Sequence, residues 1–178
     1  MNKFLQVLLV FLVVSISEPA TASSGAYLAG RQANSDHNFV TASKFQARSI
    51  SADPANSKLL EGLMISFIAQ GSVDEAVSIA EVYKDTGSES QISQMILLAS
   101  MIKDGQTEAF LNFVKNASEI TPILTDLLSA WIRMGLHDEV NANRIFDKTA
   151  KVQGMGQFAN FHRAMSQLAA GKMNKPKE

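Results

Sequence analysis

Like residues return in register along this chain. Phe39, Ala42 and Phe45 recur thirty-four positions later as Val73, Ala76 and Ile79. A period of that length is one helix-turn-helix unit, which cannot bury its apolar face alone and must stack against its neighbours. The punctuation keeps the same register: Gly30, Ala42 and Pro54 stand twelve and twelve apart, and Gly71, Asp74, Glu75 and Ala76 open the next helix pair. Looser copies follow at Asp104-Gly105-Gln106-Thr107-Glu108-Ala109, at Gly135-Leu136-His137-Asp138-Glu139-Val140 and at Leu168-Ala169-Ala170-Gly171.

Gly30, Ala42 and Pro54, preceded by Tyr27-Leu28-Ala29, resemble the tetratricopeptide repeat, whose unit has a small residue in its first helix, an alanine in its second and a closing proline. The resemblance implies an all-α, right-handed α-solenoid of antiparallel helix pairs, about four and a half repeats over residues 23–171. The later copies lack the closing proline and the fixed length.

Apolar positions from Tyr27 onward keep a helical period, with almost no alternation of the strand type. Leu60, Leu63, Met64 and Phe67 form one stripe, Val73, Ala76, Val77 and Ala80 another, and Leu124, Leu127, Leu128 and Trp131 a third. Burying each large side chain contributes roughly 1.5–3 kcal/mol, so these stripes are core. Ser72 with Glu75, and Ser88 with Gln91, have capping-box spacing. Thr121-Pro122 reads as an N-cap with proline in the first turn. Gly87, Gly105, Gly135 and Gly171 mark helix ends. The expected helices are 26–33, 39–52, 57–70, 73–84, 91–103, 107–116, 122–134, 138–150 and 157–170. The last resembles the first helix of another unit with no second helix after it, since residues 173–176 are poorly apolar and carry Pro176.

At the start, Lys3, the apolar run from Phe4 to Val14 and Ala20-Thr21-Ala22 have the parts of a secretory signal peptide. The run is shorter than the roughly 20 residues that span a bilayer. Residues 1–22 are therefore expected to be a cleaved leader, residues 23–171 the repeat domain and residues 172–178 a polar tail, in an exported, periplasmic protein with no membrane span once the leader is removed. The chain has no cysteine, so neither a lipoprotein anchor nor a disulfide is available. Sixteen basic and seventeen acidic residues leave no electrostatic footprint for nucleic acid.

No nucleophile elbow, phosphate loop, zinc-binding His-Glu pair or calcium loop is present. The histidines are three and scattered, with His37 and His137 at repeat turns. Gly154-Met155-Gly156 is a loop between helices, and Asn116-Ala117-Ser118 matches a short glycosylation sequon. No catalytic residue, cofactor or metal is expected. The resemblance implies instead that the first helices of successive units line a concave face that contacts an extended peptide or a partner helix. Carried over by phase, the lining is Tyr27, Arg31 and Asn34; Glu61, Ile65 and Ile68; Gln94, Leu98 and Met101; and Thr125, Ser129 and Arg133. For Ile65, Ile68 and Leu98, packing against neighbouring helices is weighed above contact with a partner. The leading expectation is a non-catalytic interaction scaffold of the cell envelope with a protein or peptide partner. The alternatives are a superhelical accessory region of a larger envelope enzyme and a self-assembling structural piece joined through its last helix, on which Phe158, Phe161, Met165 and Leu168 share one face.

Overall fold

The computed structural model describes residues 20–171, with side-chain environments from residue 24. The leader reading over residues 1–22 and the tail over residues 172–178 lie outside the described residues, save that Ala20 to Ala22 open the first helix. The described residues form α1 (Ala20–Ser35), α2 (Phe39–Ile50), α3 (Ser57–Ala69), α4 (Val73–Asp85), α5 (Gln91–Lys103), α6 (Thr107–Phe113), α7 (Pro122–Gly135), α8 (Glu139–Ala150) and α9 (Gly156–Ala169), with no strand among them. Two compact units divide between Ile96 and Leu97, within α5. In the first, α1 packs on α2, α2 on α3 and α3 on α4; in the second, α7 packs on α8 and α9 on both.

Three of the helix pairs close on an alanine. Ala42, Ala76 and Ala142 are fully buried, because a methyl group at the crossing lets two helix backbones approach closely while larger neighbours fill the flanks. Around Ala142 the second unit gathers Leu127, Ala130, Met134 and Phe146, with Trp131 and Ile145 packed against them. Two turns after the alanine, Ser49 and Thr149 are buried as well. Their hydroxyls donate to the carbonyls of Phe45 and Ile145, each at 3.1 Å, so neither leaves a buried polar group unpaired.

The third copy departs from the rule. Phe110 occupies the phase of Ala76 and is also fully buried. A phenyl ring cannot sit at a close helix crossing. α6 stops after 7 residues, short of the expected 107–116, and the irregular segment that follows returns Ile120 into a cluster with Leu98 and Phe110. The register shortens here by two residues, which is why the fixed family length fails at this point.

The tips of the pairs carry the clearest periodicity. His37, Gly71, Gly105, His137 and Gly171 all have positive φ, between 56° and 82°. At the first four, two backbone bonds complete a Schellman turn. The His37 N–H donates to Asn34 O at 3.0 Å and the Asn38 N–H to Ala33 O at 2.8 Å. The pairs Gly71 to Ile68 with Ser72 to Phe67, Gly105 to Ile102 with Gln106 to Met101, and His137 to Met134 with Asp138 to Arg133 repeat it. Gly135 is the last residue of α7, as expected, but the left-handed position falls two residues later on His137. An L-residue there costs roughly 1–2 kcal/mol that glycine avoids, partly offset by glycine's greater unfolded-state entropy. His137→Gly is therefore expected to raise stability by about 0.5–1 kcal/mol. A chemical denaturation midpoint that falls would show that the imidazole makes a compensating interaction.

The caps differ in detail from the capping-box spacing. Ser72 opens α4 without a side-chain cap bond: its helix start relies on the acidic residues Asp74 and Glu75 in the first turn. Before α5 the box belongs to Ser90 and Ser93. The Ser93 N–H donates to Ser90 Oγ at 3.2 Å and the Ser90 N–H to Ser93 Oγ at 3.3 Å. Ser88 instead hydrogen-bonds Thr86 at 3.0 Å. Asn38, Asn56 and Asp138 cap α2, α3 and α8 through their side chains. Pro122 takes the first turn of α7 as expected, though the Thr121 side chain makes no cap bond.

Candidate interaction face

Counting back from each positive-φ tip gives the residues that the first helix of a pair presents on one face. Three, six and ten positions before His37 stand Asn34, Arg31 and Tyr27; before Gly71 stand Ile68, Ile65 and Glu61. In the first unit this face is open: Tyr27, Arg31, Ile65 and Ile68 are exposed, while Asn34 and Glu61 are half-buried. The Arg31 guanidinium lies 5.8 Å from the centre of the Tyr27 ring, which fixes a cation over an aromatic face at one end of the row. Two exposed isoleucines follow on α3, at 40% and 44% exposure. Branched apolar side chains left in water at adjacent turns gain free energy when a partner covers them.

A buried polar network holds α1 and α3 in register beneath this face. Ser66, fully buried, lies 2.8 Å from Gln46 Oε1 and 3.1 Å from Asn34 Oδ1, and its hydroxyl donates between them. Gln46 fits because its neighbours are glycines. A Cβ at Gly30 would come within 3.2 Å of Gln46 Cγ, and one at Gly62 within 3.1 Å of Gln46 Nε2. Asn34 is thus a bridge between helices as much as a lining group. A cleft of about 470 Å³ opens beside Tyr27, bounded by Leu28, Asp53, Asn56, Lys58 and Leu59.

On α5 the expected lining shifts by one residue. Leu98, at 1% exposure, packs with Phe110 and Ile120, and Gln94 is buried too. Neither can be reached by a partner; Met101 is half-buried against the same cluster. The exposed positions are Met95, Ala99 and Ile102. They stand thirty-four residues after Glu61, Ile65 and Ile68, so carrying the period through strictly would have found them.

In the second unit the equivalent face of α7 is closed. Ten, six and three positions before His137 fall Leu127, Trp131 and Met134, of which Leu127 and Met134 are buried with Ala142 and Phe146. Thr125, Ser129 and Arg133 are half-buried. The Thr125 hydroxyl donates to Pro122 O at 3.0 Å. Arg133 donates to Asp138 Oδ2 at 2.6 Å across the tip. Hydrogen bonds from the Asn141 side chain and then from Arg133 hold the Asp138 carboxyl below the usual carboxylate range. Arg133 and Asp138 thus serve the turn and the α8 cap.

Among the described residues no three His, Cys, Asp or Glu side chains converge on a point that could hold a metal ion. No described helix is long and apolar enough to cross a membrane.

Helix pairs closed on a buried alanine and tipped by Schellman turns define the tetratricopeptide-type α-solenoid fold. Solved structures share it. The chain is similar to MamA in two crystal structures, at TM-scores of 0.67 and 0.65 and 14% identity. The alignments cover 84% and 80% of this chain and 82% and 84% of MamA. It is similar also to YrrB, described as a TPR protein with an unusual peptide-binding site, at TM-score 0.64 and 13% identity over 82% of this chain and 76% of YrrB. No protein-family model and no curated protein sequence matches.

Proposed function

We propose that this protein is a non-catalytic interaction scaffold that holds a peptide or helix of a partner protein on the first-unit face formed by Tyr27 and Arg31 of α1 and Glu61, Ile65 and Ile68 of α3. The observation that carries the reading is the exposed pair Ile65 and Ile68, at the phase of Arg31 and Asn34, on a surface pre-ordered by the Asn34–Ser66–Gln46 network. A rigid face loses little freedom on binding, so modest apolar contact suffices for a specific complex. Arg31 and Glu61 add opposite charges beside the apolar row, which set the direction of a bound segment more than its affinity. The peptide-binding site described for YrrB supports the same use of a like fold. The leader-like start supports a place in the cell envelope after export, with the mature chain beginning at Ser23.

Tagged protein isolated from an envelope fraction tests this reading. The N-terminus is read by mass spectrometry, and co-purifying protein is compared between wild type, Ile65→Asp and Val82→Asp, an exposed valine on α4. Ile65→Asp is expected to lower partner recovery about tenfold or more, as loss of a central apolar contact does, and Val82→Asp to leave it unchanged. Equal recovery by all three places binding elsewhere.

A further inference from the structure

We propose that α9 is the contact surface of a twofold-symmetric dimer, its apolar stripe pairing antiparallel with the same stripe of a second copy. Phe158, Phe161, Met165 and Leu168 are exposed at 44%, 60%, 42% and 50%. They lie on one side of one helix over about 15 Å of its length. Contiguous exposed apolar surface of this kind marks an association site. The spacing of three, four and three is that of a helix seam, with apolar residues meeting a partner helix every half heptad. It also reads the same from either end. Two copies related by a twofold therefore set Phe158 opposite Leu168 and Phe161 opposite Met165, a large ring against a smaller, flexible chain in every layer.

Charge points to a second copy as well. The one formal charge on α9 is Arg163, and it is tied to Asp147 of α8. Beside the stripe stand Gln157, Asn160, Ala164 and Gln167, so like meets like with no repulsion. A lipid surface would call for several basic residues on the polar side of the helix, which α9 lacks. The stripe is also held in place before any contact. The Trp131 Nε1–H donates to His162 Nδ1 at 3.1 Å, and the Phe158 and Phe161 rings lie edge-on to that imidazole at centroid distances of 4.5 and 5.8 Å.

The chain has no cysteine, so one introduced thiol reports its own neighbours. Ala164 is exposed beside the middle of the stripe, and in the proposed pairing it faces its copy near the twofold. The full chain carrying Ala164→Cys, treated at micromolar concentration with a short bis-maleimide, is expected to give covalent dimer, whereas Ala47→Cys on the exposed side of α2 gives none. Adding Phe161→Glu to Ala164→Cys is expected to lower the dimer yield about tenfold or more with an unchanged circular dichroism spectrum. Met165→Glu serves as a second break should the first not fold. No dimer from Ala164→Cys, equal dimer from Ala47→Cys, or indifference to both glutamates overturns the proposal. So does a stripe that binds only vesicles or a different protein.

Discussion

Replacing Phe146 with alanine is expected to destabilise the second unit by about 3–5 kcal/mol, the cost of deleting a buried ring and leaving a cavity that close-packed surroundings only partly refill. Phe146 is fully buried at the centre of Leu127, Ala130, Met134 and Ala142. Trp131, the single tryptophan, packs against that cluster, so denaturant unfolding followed by its fluorescence reads this unit directly. An unchanged midpoint would mean that the cluster does not hold α7 and α8 together.

Ala76→Leu acts in the opposite sense, by adding bulk where there is none to spare. Ala76 is fully buried at the α3–α4 crossing, and three further carbons there force off-rotamer side chains or separate the helices, at about 1–3 kcal/mol. The same phase accepts Phe110 in the third copy, but only with a 7-residue α6 and Ile120 brought in beside it. α4, with 13 residues, has made no such adjustment. A thermal melt of Ala76→Leu that superimposes on wild type would remove the reason for an alanine at this phase in three of the pairs.

The helices themselves were legible in the sequence, because burial of one face is written as a 3.6-residue period and each interruption as a turn signal. Seven of the nine expected segments agree with the observed helices to within two residues at each end. The exceptions are instructive. α1 begins before its expected start, since the small residues preceding Ala26 continue a helix as readily as a leader end. α6 ends early because Phe110 spoils the close crossing, a packing effect invisible to local propensity. Gly135 does end its helix, but not as the left-handed residue that glycine usually supplies; the fold assigns that position by its distance from Ala142, and histidine bears the strain. Ser72 has the right spacing for a capping box, but spacing does not fix the rotamer of a short side chain at the surface.

Less of the interaction face was legible. On α1 and α3 the expected positions Tyr27, Arg31, Ile65 and Ile68 are exposed, so a partner can reach them. On α5 a one-residue slip put Gln94 and Leu98 in the row, and one residue is about 100° around a helix, enough to exchange the open side for the core. On α7 the shortened register and the cluster around Phe146 bury Leu127 and Met134 of the equivalent phase and half-bury Trp131, which depends on tertiary packing that no local pattern carries.

Site-specific photo-crosslinking in living cells reads the face most directly. A photoreactive amino acid is placed singly at Ile65 or Ile68 on the first-unit face, and at Val40 or Val82 on α2 and α4 as exposed comparators. The expected result is one shared adduct, of a single partner mass, from Ile65 and Ile68 and none from Val40 or Val82. Adducts from Val40 and Val82 alone, or an identical pattern from all four positions, would contradict a binding face on the first helices of the repeat pairs.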